Sequence, residues 1–447
     1  DSRAESRLFH MRAFNGWTKA IQIAELNPFT KDALQSKKRK RASGGALLGP
    51  LRVLDLACGK GGDLGKWILH SRGIENYVGI DVARGSLRDA AKRAQTLGLG
   101  KLKRCSFVCA DLGSDVPGSK NKRNKLLTWK LTPLTALEDI PHFEYVQGGG
   151  VLPGEKFDVV SIQFAIHYMM STKSRARRFF KTVADLLDIG GNLIATTIDA
   201  RVVVEHIMNL GLDLFSLKED DPPIIVEVGK GACRLKFDAS IVQRILQASI
   251  NYHSEKNCTT VIDSLDESNF GFTYTFTLVE GSNHAAGVGE AVDLPEWLSP
   301  IPMLSALAAE FGLKIETVEN FHEFFSKRSD ASSHPFAHSA IYNMHVLARD
   351  GSISEDEWEI SRLYMAIKFT KIRDVEVHLC DESEGSDEDE KEGGEENISP
   401  PTPNDPLKAI KALSKAKGLY GNDEWEKLSS QEKTAAVRNI LENNNES

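Results

Sequence analysis

Three things are scarce or missing in this chain, and each absence excludes a class of protein. Its six cysteines (58, 105, 109, 233, 258 and 380) form no C-x-x-C pair. That argues against structural zinc and makes reduced thiols of a cytoplasmic or nuclear compartment the expectation. No apolar run approaches the length of a membrane span, and the charged start Asp1-Ser2-Arg3-Ala4-Glu5 does not read as a signal peptide, so no membrane partner is expected. A strong net charge is missing as well, although the formal −8 suggests one. Asp381 to Glu396 holds ten acids against one lysine, and without that segment the rest of the chain is close to +1. What is present is ordinary for a globular protein: 41% hydrophobic and 26% charged residues over 447 positions, enough for one large core or two smaller ones.

The basic residues are clustered. Lys37-Lys38-Arg39-Lys40-Arg41 and Lys120-Asn121-Lys122-Arg123-Asn124-Lys125 are short cationic runs on an otherwise near-neutral body. Such loops suit contact with a polyanion, and the first run also suits nuclear import.

The densest information lies in Arg52-Val53-Leu54-Asp55-Leu56-Ala57-Cys58-Gly59-Lys60-Gly61-Gly62-Asp63. A short apolar run breaks into a turn with three glycines in four positions, the mark of a buried parallel strand entering a helix beside a ligand. Asp81 closes the next strand, Tyr77-Val78-Gly79-Ile80-Asp81, 22 residues after Gly59. A carboxylate at that distance can accept from ribose hydroxyls. The dinucleotide pattern G-x-G-x-x-G fails at Leu64, and the P-loop pattern fails at Lys60 and Trp67. The remaining D-x-x-x-G-x-G resembles the first motif of S-adenosylmethionine-dependent methyltransferases.

Apolar segments alternate with helical patterns through Thr197, which predicts an α/β fold with a mostly parallel sheet and helices on both faces. A helix over Lys173–Leu187 is expected to stop at Gly190-Gly191, with a strand over Asn192–Thr197. Residues 112–155 read as a long insertion. Phe270 to Leu278 alternates with period two and predicts a half-buried antiparallel strand. Residues 380–405 are acidic and rich in Gly, Pro and Ser, as expected of a disordered linker. Residues 406–447 read as a small helical segment, with Ser429 and Glu432 spaced as a capping box.

With Gln163-x-x-x-His167-Tyr168, Leu294-Pro295-Glu296-Trp297 and Phe14-Asn15-Gly16-Trp17-x-Lys19 added to the glycine turn, the chain resembles the eukaryotic mRNA cap guanine-N7 methyltransferases. The matches run from about Ser2 to Ile372. The resemblance implies a class I methyltransferase domain over residues 1–379, Rossmann-like, with a seven-stranded mostly parallel sheet and added antiparallel strands. It implies a nuclear enzyme that takes S-adenosylmethionine and no metal, acts on the 5′ end of capped pre-mRNA, and meets RNA guanylyltransferase or the transcription machinery. Carried over residue by residue, it places Lys19, Ala57, Gly59, Asp81, Asp111, Gln163 and Tyr168 around the cofactor. It places Asn15, Gly16, Lys60, Lys66, Arg93, His167, Glu296 and Tyr364 around the cap. Ala57 stands where glycine is common and Gly16 where a second asparagine is common. No general base is implied, because guanine N7 carries a lone pair and no proton, so aligning two reactants is the task. Two other readings stay open: a methyltransferase for another RNA position or a small molecule, and a silent protein that only binds capped RNA or a capping partner.

Overall fold

The structure is a computed structural model that describes residues 6–30, 49–98, 102, 104–109, 112, 132–133, 151, 154–212, 216–254, 265–279 and 289–376. The chain divides into a unit ending at Val375 and a second from Glu376 to Ser447. Asp111, both cationic runs, the acidic segment and the helical segment beyond it lie outside the described residues.

The first unit is organised by one sheet. Strands β1 (Leu51–Leu56), β2 (Ile74–Asp81), β3 (Arg104–Cys109), β5 (Phe157–Gln163) and β6 (Leu187–Ile198) run parallel in the order β3-β2-β1-β5-β6. Beyond β6 come β12 (Tyr364–Lys371), antiparallel to it, and then β11 (Leu313–Asn320). These seven strands match the expected sheet. A two-residue β4 (Thr132–Pro133), from within the expected insertion, adds an eighth at the β3 edge. The central strands are buried nearly end to end, as strands covered on both faces must be.

A second sheet has the order β10-β9-β8-β7 and is wholly antiparallel: β7 (Ile224–Val228), β8 (Cys233–Phe237), β9 (Thr273–Val279) and β10 (Gly289–Trp297). The first three alternate strictly between buried and open residues, so this sheet presents one face to the core. The alternation expected over Phe270 to Leu278 is therefore present, three residues shorter at its start. The β7–β8 hairpin was not foreseen, although Val228-Gly229-Lys230-Gly231 between two alternating runs is a legible hairpin signal.

Helix α1 (Phe9–Ala24) buries Met11, Phe14, Trp17 and Ile21, one stripe at helical spacing. Burial of each large side chain contributes about 1.5–3 kcal/mol. Its N-cap, Leu8, has no side-chain oxygen to offer. The free N–H groups of His10 and Met11 donate instead to Glu357 Oε1 at 2.7 and 3.1 Å. Glu357 belongs to α10 (Glu355–Arg362) and is itself held by the capping residue Ser354, whose hydroxyl donates to its other oxygen at 2.6 Å. Phe14 stacks on Trp358 at 5.8 Å, and Trp17 Nε1 donates to the Ala337 carbonyl at 3.0 Å. A helix distant in sequence is thus pinned beside the sheet, which fixes where Asn15 and Lys19 stand.

One expectation is corrected. The helix α4 (Lys173–Leu186) passes directly into β6, and Gly190-Gly191 lie inside that strand rather than ending the helix. Gly190 has φ +84°, and a Cβ there would fall 2.1 Å from the Phe29 carbonyl oxygen. The glycines admit the backbone after α1 against the sheet; the register jumps from Phe157↔Leu187 to Val159↔Asn192 around them.

Candidate active site

The chain runs outward from β1 to β2 and β3, then returns to place β5 on the other side of β1. Helix-covered parallel sheets hold their ligands at such a reversal, outside the carboxyl ends of the strands. Two segments leave the sheet there, the glycine turn after β1 and Phe164 to Tyr168 after β5.

The turn is a sequence of left-handed residues: Ala57 at φ +53°, Gly59 at +53° and Gly61 at +68°. Gly61 is obligatory, since a Cβ would meet Leu64 Cδ1 at 2.6 Å and Ala90 Cβ at 3.1 Å in the helix α3 (Arg84–Thr96). Gly59 has nothing within 4 Å of where a Cβ would be, so its backbone faces open space. Ala57, the departure from glycine, does not force another backbone angle; the chain keeps the left-handed one with a methyl on it. Asp81 latches the turn. Its Oδ2 accepts from Gly59 N at 2.8 Å and its Oδ1 from Ala83 N at 2.7 Å. Burial lifts the carboxyl above its ordinary value, and the N–H groups of Ala83, Gly59 and Val82 only partly offset this.

Asp63, at the far end of the turn, was assigned no role from sequence. It is the centre of the charge network: Lys19 Nζ lies 2.9 Å from its Oδ1, and Lys66 Nζ lies 2.7 Å from the same atom. Burial pushes Asp63 up, but the two lysines outweigh it and hold the carboxyl below the usual range. Lys19, expected on the cofactor side, and Lys66, expected on the cap side, are thus brought together on one carboxylate. Lys60 is exposed and pairs with Asp89 at 3.2 Å, while Arg93 Nη1 reaches the Gly61 carbonyl at 3.4 Å, so both stand on the outer side of the turn. Beneath the turn, Asp55 is buried against the Tyr77 hydroxyl at 2.7 Å. Burial, aided by the charge of Asp63, lifts it to about 7 against the pull of Tyr77, Lys19 and Ser161.

At the end of β5, Gln163 is tied into a ladder: its Nε2 donates to Gln22 Oε1 at 3.2 Å and its Oε1 accepts from Thr196 Oγ1 at 3.0 Å. Phe164 follows at φ +55°, its N–H held by the Thr196 carbonyl at 3.0 Å. A bulky residue in that region is strained, and its ring is what the strain places. Lys19 Nζ lies 5.7 Å from its centroid, and the Tyr364 ring meets it edge-on at 5.2 Å. Lys19, which pairs with Asp63 of the glycine turn, and the expected cap residue Tyr364 therefore both meet one ring.

A second cluster gathers around Glu296, near the end of β10. The Tyr168 hydroxyl donates to its Oε1 at 3.3 Å and the Tyr274 hydroxyl to its Oε2 at 2.6 Å. His167 Nε2 stands 3.6 Å from Oε1 and has no hydrogen-bond partner, although it is buried; Nδ1 lies 3.3 Å from Thr197 Oγ1. Burial lowers the His167 pKa, which the Glu296 charge only partly opposes, so the imidazole is neutral at neutral pH. The hydroxyls of Tyr168, Tyr274 and Tyr364 are all pushed up, chiefly by burial and then by nearby acidic groups, and stay protonated donors. Tyr168, expected on the cofactor side, has its hydroxyl in this cluster. Tyr274 was not foreseen.

Asn15 leaves a buried Oδ1 without a partner while its Nδ2 faces Met11 Sδ at 3.3 Å. Gly16 faces Met344, whose Cε would be 3.7 Å from an added Cβ. Among the described residues no three His, Cys, Asp or Glu side chains are grouped as metal ligands, and no helix is long and apolar enough to cross a membrane.

Residues 1–218 and 229–372 match the family model of the mRNA (guanine-N(7))-methyltransferase domain. The chain is 28% identical over 373 residues to mRNA cap guanine-N(7) methyltransferase 1 of Oryza sativa subsp. japonica, covering 83% of this chain and 77% of that protein. It is 29% identical over 378 residues to the protein of the same name in Arabidopsis thaliana, with the same coverage. With the mRNA cap guanine-N(7) methyltransferase of Drosophila melanogaster it shares 26% over 394 residues, covering 83% and 74%. The family match is interrupted over residues 219–228, which include β7, and takes in the strands of the large sheet, the glycine turn and β8 to β10, with both Tyr274 and Glu296; the chain belongs to the mRNA (guanine-N(7))-methyltransferase family of enzymes.

Proposed function

We propose that this enzyme transfers a methyl group from S-adenosylmethionine to N7 of the guanine in a GpppN mRNA cap. The observation that carries the reading is the Glu296 cluster, reached by His167 and Tyr168 from the segment after β5 whose Phe164 ring lies 5.7 Å from Lys19 Nζ. Guanine presents N1–H and its exocyclic amine side by side, and a carboxylate with both oxygens in reach accepts from both. A neutral His167 with a free, buried Nε2 completes a polar pocket for the same base.

The glycine turn fits a nucleoside cofactor. Asp81 has one acceptor position on each oxygen committed to backbone N–H groups and one left for a ribose hydroxyl. The open backbone at Gly59 admits a ligand at close range. S-adenosylmethionine would supply an electrophilic methyl on its sulfonium sulfur. Lys19, close to that turn, suits the cofactor's carboxylate, with Gln163 and Ala57 lining the same side; Asp111, outside the described residues, is assigned to the adenine. Lys60 and Arg93, on the turn's outer side, and Lys66, on the Asp63 carboxylate, are assigned to the cap's triphosphate. Asn15 and Tyr364 flank the base.

No residue need remove a proton, because N7 attacks with a free lone pair and the methyl leaves sulfur as its bond to nitrogen forms. The chain's task is to hold the two reactants in line and keep water out. The ring faces of Tyr168 and Tyr364 favour the cationic N7-methylguanine that results. We place the reaction in the nucleus, at the 5′ ends of transcripts that a guanylyltransferase has just capped.

The test is methyl transfer from labelled S-adenosylmethionine to GpppA-capped RNA, beside uncapped triphosphate RNA and RNA whose cap is already N7-methylated. Label on the first alone supports the reading. Label on all three means another position on RNA, and no label despite cofactor binding means another substrate or a missing partner.

A further inference from the structure

We propose that Tyr274 is a positioning residue for guanine selection: its hydroxyl holds the Glu296 carboxylate in the plane where both oxygens face the base. This rests on the proposed role of Glu296 as the guanine acceptor and adds the residue that fixes its geometry.

The argument begins with register. Tyr274 and Glu296 are directly opposed on β9 and β10, so the two side chains rise from the same face of the sheet as a cross-strand pair. Both are buried. The Tyr274 ring is fixed by its own packing, with the Phe237 ring 5.6 Å away and inclined by 32°. A tyrosine held at the ring has little freedom at the hydroxyl, and that hydroxyl meets Oε2 at 2.6 Å, the distance of a charge-assisted bond. Tyr168 gives the other oxygen a longer bond of 3.3 Å, so Tyr274 is the dominant constraint.

The strand that carries Glu296 offers less support. β10 is the edge of its sheet, and the residue before Glu296 is Pro295, which has no N–H to donate. A glutamate has three side-chain torsions, and fixing them costs conformational entropy that a ligand would otherwise have to offset. Tyr274 sets them before guanine arrives.

Acceptor counting gives the same answer. An ionised carboxylate has about four acceptor positions, two on each oxygen. Tyr274 occupies one on Oε2 and Tyr168 one on Oε1. One remains on each oxygen, which is what the paired donors N1–H and N2–H require. A hypoxanthine base keeps N1–H and lacks the amine, so it uses only one of the two. The value of holding both oxygens in plane is therefore greater for guanine than for hypoxanthine, and that difference separates positioning from simple structural support.

The experiment compares kcat/KM on GpppA-capped and IpppA-capped RNA for the wild type and Tyr274→Phe. For the wild type we expect a preference for guanine of about tenfold or more, which corresponds to about 1.4 kcal/mol. Tyr274→Phe keeps the ring and removes the donor. The preference should drop to roughly two- or threefold, the loss falling on KM for the guanine cap, with S-adenosylmethionine affinity unchanged. A loss shared equally by both caps would make Tyr274 a structural residue and overturn the proposal. Should the phenylalanine variant fail to fold, 4-aminophenylalanine at position 274 retains the ring with a weaker donor; a smaller flattening supports the proposal and an equal loss on both caps overturns it. Glu296→Ala is the control for the underlying reading. If it leaves the guanine preference intact, Glu296 is not the acceptor and the pocket assignment fails; if it abolishes the preference while Tyr274→Phe does not change it, only the role of Tyr274 fails.

Discussion

The two ends of the candidate site are built by different means. At the proposed cofactor end the backbone does most of the work: left-handed residues at 57, 59 and 61 shape a turn, and Asp81 holds it through N–H groups. At the Glu296 end the backbone is ordinary strand and short turn, and side chains 167 and 168 from the turn after β5 meet side chains 274 and 296 of the second sheet. A backbone-built site is local in sequence and carries its geometry with it. A side-chain-built site exists only when the fold around it is complete. The first should therefore tolerate distant changes and fail on local ones, and the second should do the reverse.

The largest effect should come from Asp81→Ala. It removes the latch on the turn and the proposed ribose acceptor together, so S-adenosylmethionine affinity should fall by about a hundredfold or more, close to 3 kcal/mol. Calorimetry checks this, and affinity within about threefold of wild type would show that neither role matters. A cap dinucleotide should bind as before, which keeps the two ends separable.

Asp55→Asn probes the ground beneath the turn through pH. The Asp55 carboxyl is lifted from 3.8 to about 7 in the fold. Its contribution to stability is thus fully present below the unfolded value and is lost as pH rises through the folded one. Asparagine has no such proton to lose. Between pH 5 and 8.5 the variant should gain on the wild type, on the order of 2 kcal/mol once weaker bonds to Tyr77 and Ser161 are allowed for. Thermal midpoints across that range decide it; a gap that does not change with pH removes Asp55 as a buried acid.

Glu296→Gln breaks the other end. The amide turns an acceptor into a donor opposite a guanine donor, so KM for GpppA-capped RNA should rise about tenfold. S-adenosylmethionine affinity should stay as it was, and parallel loss of both would mean that the two ends fold as one unit.

The same contrast explains what was legible in the sequence. The strand, the glycine run and Asp81 are contiguous enough that periodicity and spacing alone expose the turn. The parallel sheet follows from the alternation of apolar and helical segments. Asp63 is hidden because its partners are a lysine 44 residues away and one three residues on, and charge in a helix start reads as a solvated cap. Tyr274 is hidden for a different reason. Period-two alternation tells which face of β9 is buried, but not which residue of β10 lies opposite, because register is set by the whole sheet. Glu357 capping α1 is hidden in the same way, 347 residues from the N–H it accepts. Gly190-Gly191 misled because glycine marks both a helix end and a close approach, and only the packed backbone at Phe29 tells which.

The smallest expected effect falls on Ala57, and it sharpens the comparison most. An alanine held at φ +53° costs about 1 kcal/mol relative to a residue free of Cβ strain. Ala57→Gly removes that cost and adds about 0.5–1 kcal/mol of unfolded-chain entropy, so the two nearly cancel. An alanine in ordinary helix, such as Ala91 in α3, has no strain to release and should only lose when changed to glycine. The thermal midpoint of Ala57→Gly should therefore stay within about 2 °C of wild type while Ala91→Gly falls. Cofactor affinity should be unchanged or slightly higher without the methyl. A clear loss of stability at position 57 would mean that the methyl is packed rather than tolerated, and that the turn depends on its side chains as much as the Glu296 cluster does.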